Sequence, residues 1–80
     1  MPTVLRVDGF QVRIFPNDHP PAHVHVYKAG TLVVIELAAP TQRQVVREVA
    51  GMSSADAVKA FLIVEDHGAF LREKWEELHG

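Results

Sequence analysis

The chain has 80 residues, 48% of them apolar, and a formal net charge of −2 with its histidines neutral. That length allows one domain with a thin core, since so small a chain buries only about 60% of its unfolded surface. The apolar fraction argues against disorder, the lack of cysteine excludes disulfides and thiolate metal sites, and the near-neutral charge gives no global pull towards nucleic acid or membrane.

The start, Met1-Pro2-Thr3-Val4-Leu5-Arg6, lacks the apolar region of a signal peptide. The longest apolar run, Leu32-Val33-Val34-Ile35, is strand-sized and far short of a bilayer span. A soluble, cytoplasmic protein is the expectation.

In chain order, Val4 to Val7 and Phe10 to Phe15 are two β-prone runs. The Asp8-Gly9 link between them is a type I′ hairpin signal. That hairpin sets Val7 against Phe10, Leu5 against Val12 and Thr3 against Ile14. Arg6, Gln11 and Arg13 then share the opposite face with Val4. Pro16 and Pro20-Pro21 mark an irregular crossing, because proline donates nothing to a ladder. A third strand runs from about Ala22 to Tyr27, turns through Lys28-Ala29-Gly30-Thr31, and returns as Leu32 to Leu37. With Tyr27 opposite Leu32, the residues Val24, Val26, Val33 and Ile35 form a core surface. His23, His25, Tyr27 and Glu36 lie on the other face with Leu32 and Val34.

Pro40-Thr41 breaks the run, and Gln44 to Val49 reads equally as a fifth strand or a short helix. A serine of Met52-Ser53-Ser54 serves as N-cap. Beyond it, Ala57, Phe61, Val64, Gly68, Leu71, Trp75 and Leu78 form one helical stripe. An unbroken helix over 54–79 would be about 39 Å long, against about 30 Å for a compact domain of this size. A break is therefore expected around Asp66-His67-Gly68, with Gly68 as C-cap and His67 as a hinge or cap residue.

The chemistry concentrates in Asn17-Asp18-His19-Pro20-Pro21-Ala22-His23-Val24-His25-Val26, which holds three of the five histidines. Imidazole titrates near neutrality and ligates metals. His23 and His25, two apart on a strand, emerge on one face about 6.7 Å apart at their bases. Two such rings either converge on an ion, work as an acid–base pair, or are simply exposed. His19 is a third candidate ligand for a divalent metal such as zinc. Straight, the proline segment holds it roughly 12 Å from His23, so the chain must fold back to form such a site. The plainer reading is a turn in which Asn17 and Asp18 bond nearby amides. On the open face, Arg6 and Arg13 are candidate phosphate-binding residues. His23 and His25 are candidate proton-transfer residues there, with Glu36 orienting His23. Trp75 is expected as a core anchor, with His79 suited to a helix C-terminus.

Three segments together resemble a known bacterial family. They are Pro2-Thr3-Val4-Leu5-Arg6, the block from Asn17 to Pro21 with His23-Val24-His25-Val26, and Trp75 with His79-Gly80. The family is domain of unknown function 4160, and the resemblance covers nearly the whole chain. It implies a stand-alone small protein with a second small protein as partner, in an arrangement of toxin–antitoxin type. One departure concerns the segment after Gly-Leu-Ser, often basic in the family. Here it reads Met52-Ser53-Ser54-Ala55-Asp56-Ala57, with Lys59 the only nearby base, so a nucleic-acid contact by that helix is not carried over.

The resulting expectation is a single α+β domain. An antiparallel sheet of four to five strands spans about 3–49, and C-terminal helix over about 53–79 packs on one face, as one kinked or two short helices. The first functional expectation is a toxin–antitoxin-type component acting on RNA or another phosphodiester. The alternatives are a non-enzymatic module that docks a small partner protein through the histidine face, and a histidine-based metal-binding protein.

Overall fold

The computed structural model describes residues 2–39 and 41–79. Pro40, expected to break the chain, and Gly80 of the family resemblance lie outside the described residues. Five strands precede two helices: β1 (Thr3–Val7), β2 (Phe10–Arg13), β3 (His23–Lys28), β4 (Thr31–Glu36), β5 (Val45–Ala50), α1 (Ser54–Asp66) and α2 (Gly68–His79). The strands form one antiparallel meander in sequence order, the α+β architecture expected. Among the described residues, no helix is long and apolar enough to cross a membrane.

Both tight hairpins turn on two residues of positive φ, Asp8-Gly9 (49° and 82°) and Ala29-Gly30 (47° and 79°). This is the type I′ pattern, whose twist matches that of the flanking strands. Ala29 is an unusual choice, since a Cβ in the left-handed region costs roughly 1–2 kcal/mol, whereas asparagine visits it readily. Ala29→Asn is therefore expected to stabilise the domain by about 0.5–1 kcal/mol. Thermal denaturation should show this as a rise of a few degrees in Tm.

The β3–β4 register is as expected, from His23 opposite Glu36 to Lys28 opposite Thr31. The β1–β2 register departs from expectation at one end. Thr3 pairs with Arg13 rather than Ile14, and an irregularity lies between Thr3 and Leu5. The extra residue, Val4, packs against the core instead of sharing the Arg6 face, because a bulge re-aims one side chain. Gln44 to Val49 resolves into the edge strand β5, which carries a second bulge. Val34 pairs with Glu48 and Ile35 with Val46, so Arg47 is the extra residue.

Phe10, Val12, Ile14, Val24, Val26, Val33 and Ile35 form the buried inner face of the sheet, joined by Ala60, Ile63 and Val64 of α1 and Leu71 and Trp75 of α2. Ser53 caps α1, its hydroxyl accepting from the Asp56 N–H at 3.2 Å. The helix break falls where length demanded it, in a molecule whose longest extent is 32 Å. Its cap is His67 and not Gly68, which instead opens α2. The His67 backbone N–H and its Nδ1 both reach the Ile63 carbonyl, at 3.2 and 2.8 Å, which satisfies a helix-end acceptor without a left-handed glycine. The expected stripe largely holds across the break, with Val64, Leu71 and Trp75 buried and Ala57 and Phe61 packed against the core. Ala60, Ile63 and Val64 are the buried residues of α1, while Leu78 stays 42% exposed.

Candidate metal centre

The site is built by the crossing between β2 and β3. The Asp18 N–H donates to the Phe15 carbonyl at 3.1 Å, and the Phe15 N–H donates back to Asp18 Oδ2 at 3.0 Å. This closes a β-turn over Pro16-Asn17, braced by the Asp18 side chain, and aims the carboxylate at the sheet. The Pro20–Pro21 peptide is cis. Strand alternation then brings His23 and His25 out on one face.

His23 is oriented by its neighbour in sequence. Its Nδ1 lies 2.9 Å from the Pro21 carbonyl, which only accepts, so Nδ1 carries the hydrogen and Nε2 offers its lone pair. Fixing a ring by a backbone carbonyl in this way is how metal-ligating histidines are commonly held. The free Nε2 is 3.6 Å from Asp18 Oδ1, and His25 Nδ1 is 3.8 Å from Asp18 Oδ2. One ligand atom from each of Asp18, His23 and His25 lies within 4.8 Å of the other two. Ligands about 2.0–2.1 Å from a tetrahedral zinc stand about 3.3–3.4 Å apart, so a closure of up to about 1.4 Å by side-chain rotation would complete such a set. His25 Nδ1 is buried and has no hydrogen-bond partner, a costly state for a polar nitrogen unless something engages it. Burial holds the His25 pKa below its usual value, against the opposing pull of the Asp18 carboxylate. This favours the neutral ring that a metal takes.

The walls are aromatic. Phe15 meets His25 edge-on at 5.0 Å, the two histidine rings are 5.2 Å apart, and Trp75 lies 5.3 Å from His23. Trp75 stacks in turn on His79 at 3.8 Å. The His79 ring sets Nδ1 2.9 Å from the Trp75 carbonyl and Nε2 3.1 Å from the Phe15 carbonyl, which ties the end of α2 to the loop that carries Asp18. The expectation of an open histidine face is corrected here. His23 is only 5% exposed, because Trp75 and the 15–21 loop of the same chain cover it.

The other candidate residues are more scattered. His19 is exposed and stands outside the Asp18–His23–His25 group. Glu36 is opposite His23 in register, but its carboxylate is 3.9 Å from Arg47 Nε; the carboxylate that reaches His23 belongs to Asp18. Arg13 is directly opposite His25, with its guanidinium 4.3 Å over the Tyr27 ring and bonded to Gln11 Oε1 at 2.8 Å. Arg6 is exposed on β1, opposite Gln11. Asp18 is the ligand-competent residue that sequence reasoning passed over, by treating it as a turn former. It is both, and its place inside the histidine block was the available signal.

A family model described as Domain of unknown function (DUF4160) matches residues 9–76. No curated protein and no solved structure matches the chain.

Proposed function

The chain belongs to the DUF4160 family, and we propose that here Asp18, His23 and His25 together hold a divalent transition-metal ion. The observation that carries this reading is the convergence of three ligand atoms within 4.8 Å, on one pre-oriented ring and one buried nitrogen without a partner. Two imidazoles and a carboxylate suit zinc and its neighbours in the first transition row. Three protein ligands leave room for a water or a substrate oxygen, and an ion there would make that water a nucleophile near neutral pH. Hydrolysis is the chemistry such a centre puts in reach. A phosphodiester, RNA included, is the substrate class we favour, because Arg13 is the register partner of His25, its guanidinium rests over the neighbouring Tyr27 ring, and guanidinium pairs with phosphate.

Stripped, untagged protein titrated with zinc should bind one ion per chain. At free zinc about a hundredfold above the dissociation constant, binding to the folded state alone adds about 2.7 kcal/mol. For a domain of this size that is a rise of about 10 °C or more in Tm. Absence of any Tm rise with zinc, cobalt, nickel and manganese would discard the metal reading.

A further inference from the structure

β5 is the least covered element of the fold. All six of its residues are exposed, Val49 at 48%, and it pairs on one side only, with β4. A free edge presents unpaired N–H and C=O groups and is a template for another strand. The opposite edge, β1, differs, since Arg6 is its one exposed residue. Beside β5, α1 leaves Val58 58% exposed over an apolar hollow shared with Val46, Ala57 and Phe61.

The bulge at Arg47 gives this edge an unusual symmetry. Val46 and Val49 pair with Ile35 and Val33 of the core and therefore face the helices. Val45 and Glu48 pair with Glu36 and Val34 and face the other way. Arg47, the extra residue, is 3.9 Å from the Glu36 carboxylate and so shares the outer face with Glu48. In a regular strand, Arg47 and Glu48 would point to opposite faces. No two-fold axis normal to the sheet could then set one against the other, because such an axis keeps each residue on its own face. With the bulge, the segment Val45-Val46-Arg47-Glu48-Val49-Ala50 presents the same pattern when read in either direction.

We propose that two copies of this chain associate through β5, antiparallel, about a two-fold axis passing between Arg47 and Glu48. Arg47 then lies opposite Glu48 of the partner subunit, and Glu48 opposite Arg47 of the partner subunit. On the helix side, Val46 meets Val49 of the partner subunit, and Val45 meets Ala50 of the partner subunit on the outer side. Two ion pairs flank the axis, and apolar pairs continue the sheet's inner surface. The pairing is isologous, so it closes at two copies and does not propagate. A six-residue strand alone gives a small interface, and specific interfaces need about 1,200 Å² or more. The apolar surface around Val58 and Phe61, brought up against its counterpart, supplies the remainder.

Sedimentation equilibrium tests this. The wild-type chain at about 100 µM, well above the micromolar constants typical of modest interfaces, should sediment at twice its 8.9 kDa. Arg47→Glu and Glu48→Arg each place like charges directly across the axis twice, and each should weaken dimerisation about tenfold or more. Mixed in equal amounts, those two variants should recover the dimer, because each edge then meets its opposite. The double variant Arg47→Glu/Glu48→Arg should dimerise with itself. Val49→Lys, at an exposed position that the monomer fold tolerates, should be monomeric with an unchanged circular dichroism spectrum. A wild-type chain that stays at single-chain mass overturns the proposal. So do single charge variants that dimerise as tightly as wild type, or a mixture that stays monomeric.

Discussion

Trp75→Ala should remove a large share of the stability of this domain. Trp75 is 6% exposed and is the only tryptophan. It packs into the core cluster with Leu71 and Val64, meets His23 at 5.3 Å and stacks on His79 at 3.8 Å. Truncating a buried tryptophan costs about 3–5 kcal/mol through lost transfer energy and the cavity left behind. An 80-residue domain has about 4–12 kcal/mol to lose, by the usual per-residue scaling. Part of the loss comes from the link between α2 and the 15–21 loop, since the His79 ring has its nearest aromatic partner in Trp75. Urea unfolding followed by circular dichroism is the suitable measurement, because the variant has no tryptophan fluorescence. Trp75→Phe keeps an aromatic wall and should retain more than half of the stability. Leu78→Ala, three residues on but 42% exposed, should cost under about 1 kcal/mol. A Trp75→Ala midpoint indistinguishable from wild type would show that α2 is not anchored by this ring.

Period and turn chemistry made most of this fold legible in the sequence. Asp8-Gly9 closes the type I′ hairpin it signals, the four-residue turn expected over Lys28 to Thr31 tightens to a two-residue one at Ala29-Gly30, and the burial alternation of β3 and β4 left one sensible register. The helix break followed from length alone. What the sequence hid was local irregularity. The bulges at Val4 and Arg47 add a residue without altering composition, so alternation runs true up to them and is off by one beyond. The exposure of β5 was hidden for a related reason: its valines match a core strand by type, yet they lie on a free edge that α1 covers only in part. At the site, the pairing of His23 with His25 was visible in their spacing. The turn role of Asp18 was legible too, and it holds, but spacing alone did not show that the same turn aims its carboxylate at both rings. Glu36 was the reverse case. It stands opposite His23 in register, but the bulge delivers Arg47 to it first.

The identity of the third ligand yields the second large effect. Asp18 has two jobs in this structure: Oδ2 accepts the Phe15 N–H, and both oxygens point at the histidine rings. Asp18→Asn separates them, since an amide oxygen still accepts the Phe15 N–H but is a neutral, weak ligand. The metal-free variant should therefore melt close to wild type, while its zinc affinity falls about a hundredfold or more. That exceeds the 10–100-fold that loss of a mere supporting contact costs. His23→Ala and His25→Ala should lose zinc to at least the same extent. For His23→Ala the metal-free protein should also be weakened, because its buried ring packs on Trp75. His19→Ala, at an exposed position outside the group, should bind zinc within about twofold of wild type, as expected for a surface change away from the ion. Competitive titration against a chromogenic chelator reads all four variants on one scale. If His19→Ala lost as much affinity as Asp18→Asn, the loop would have to refold around the ion with His19 inside. If Asp18→Asn lost nothing, Asp18 would serve the turn alone.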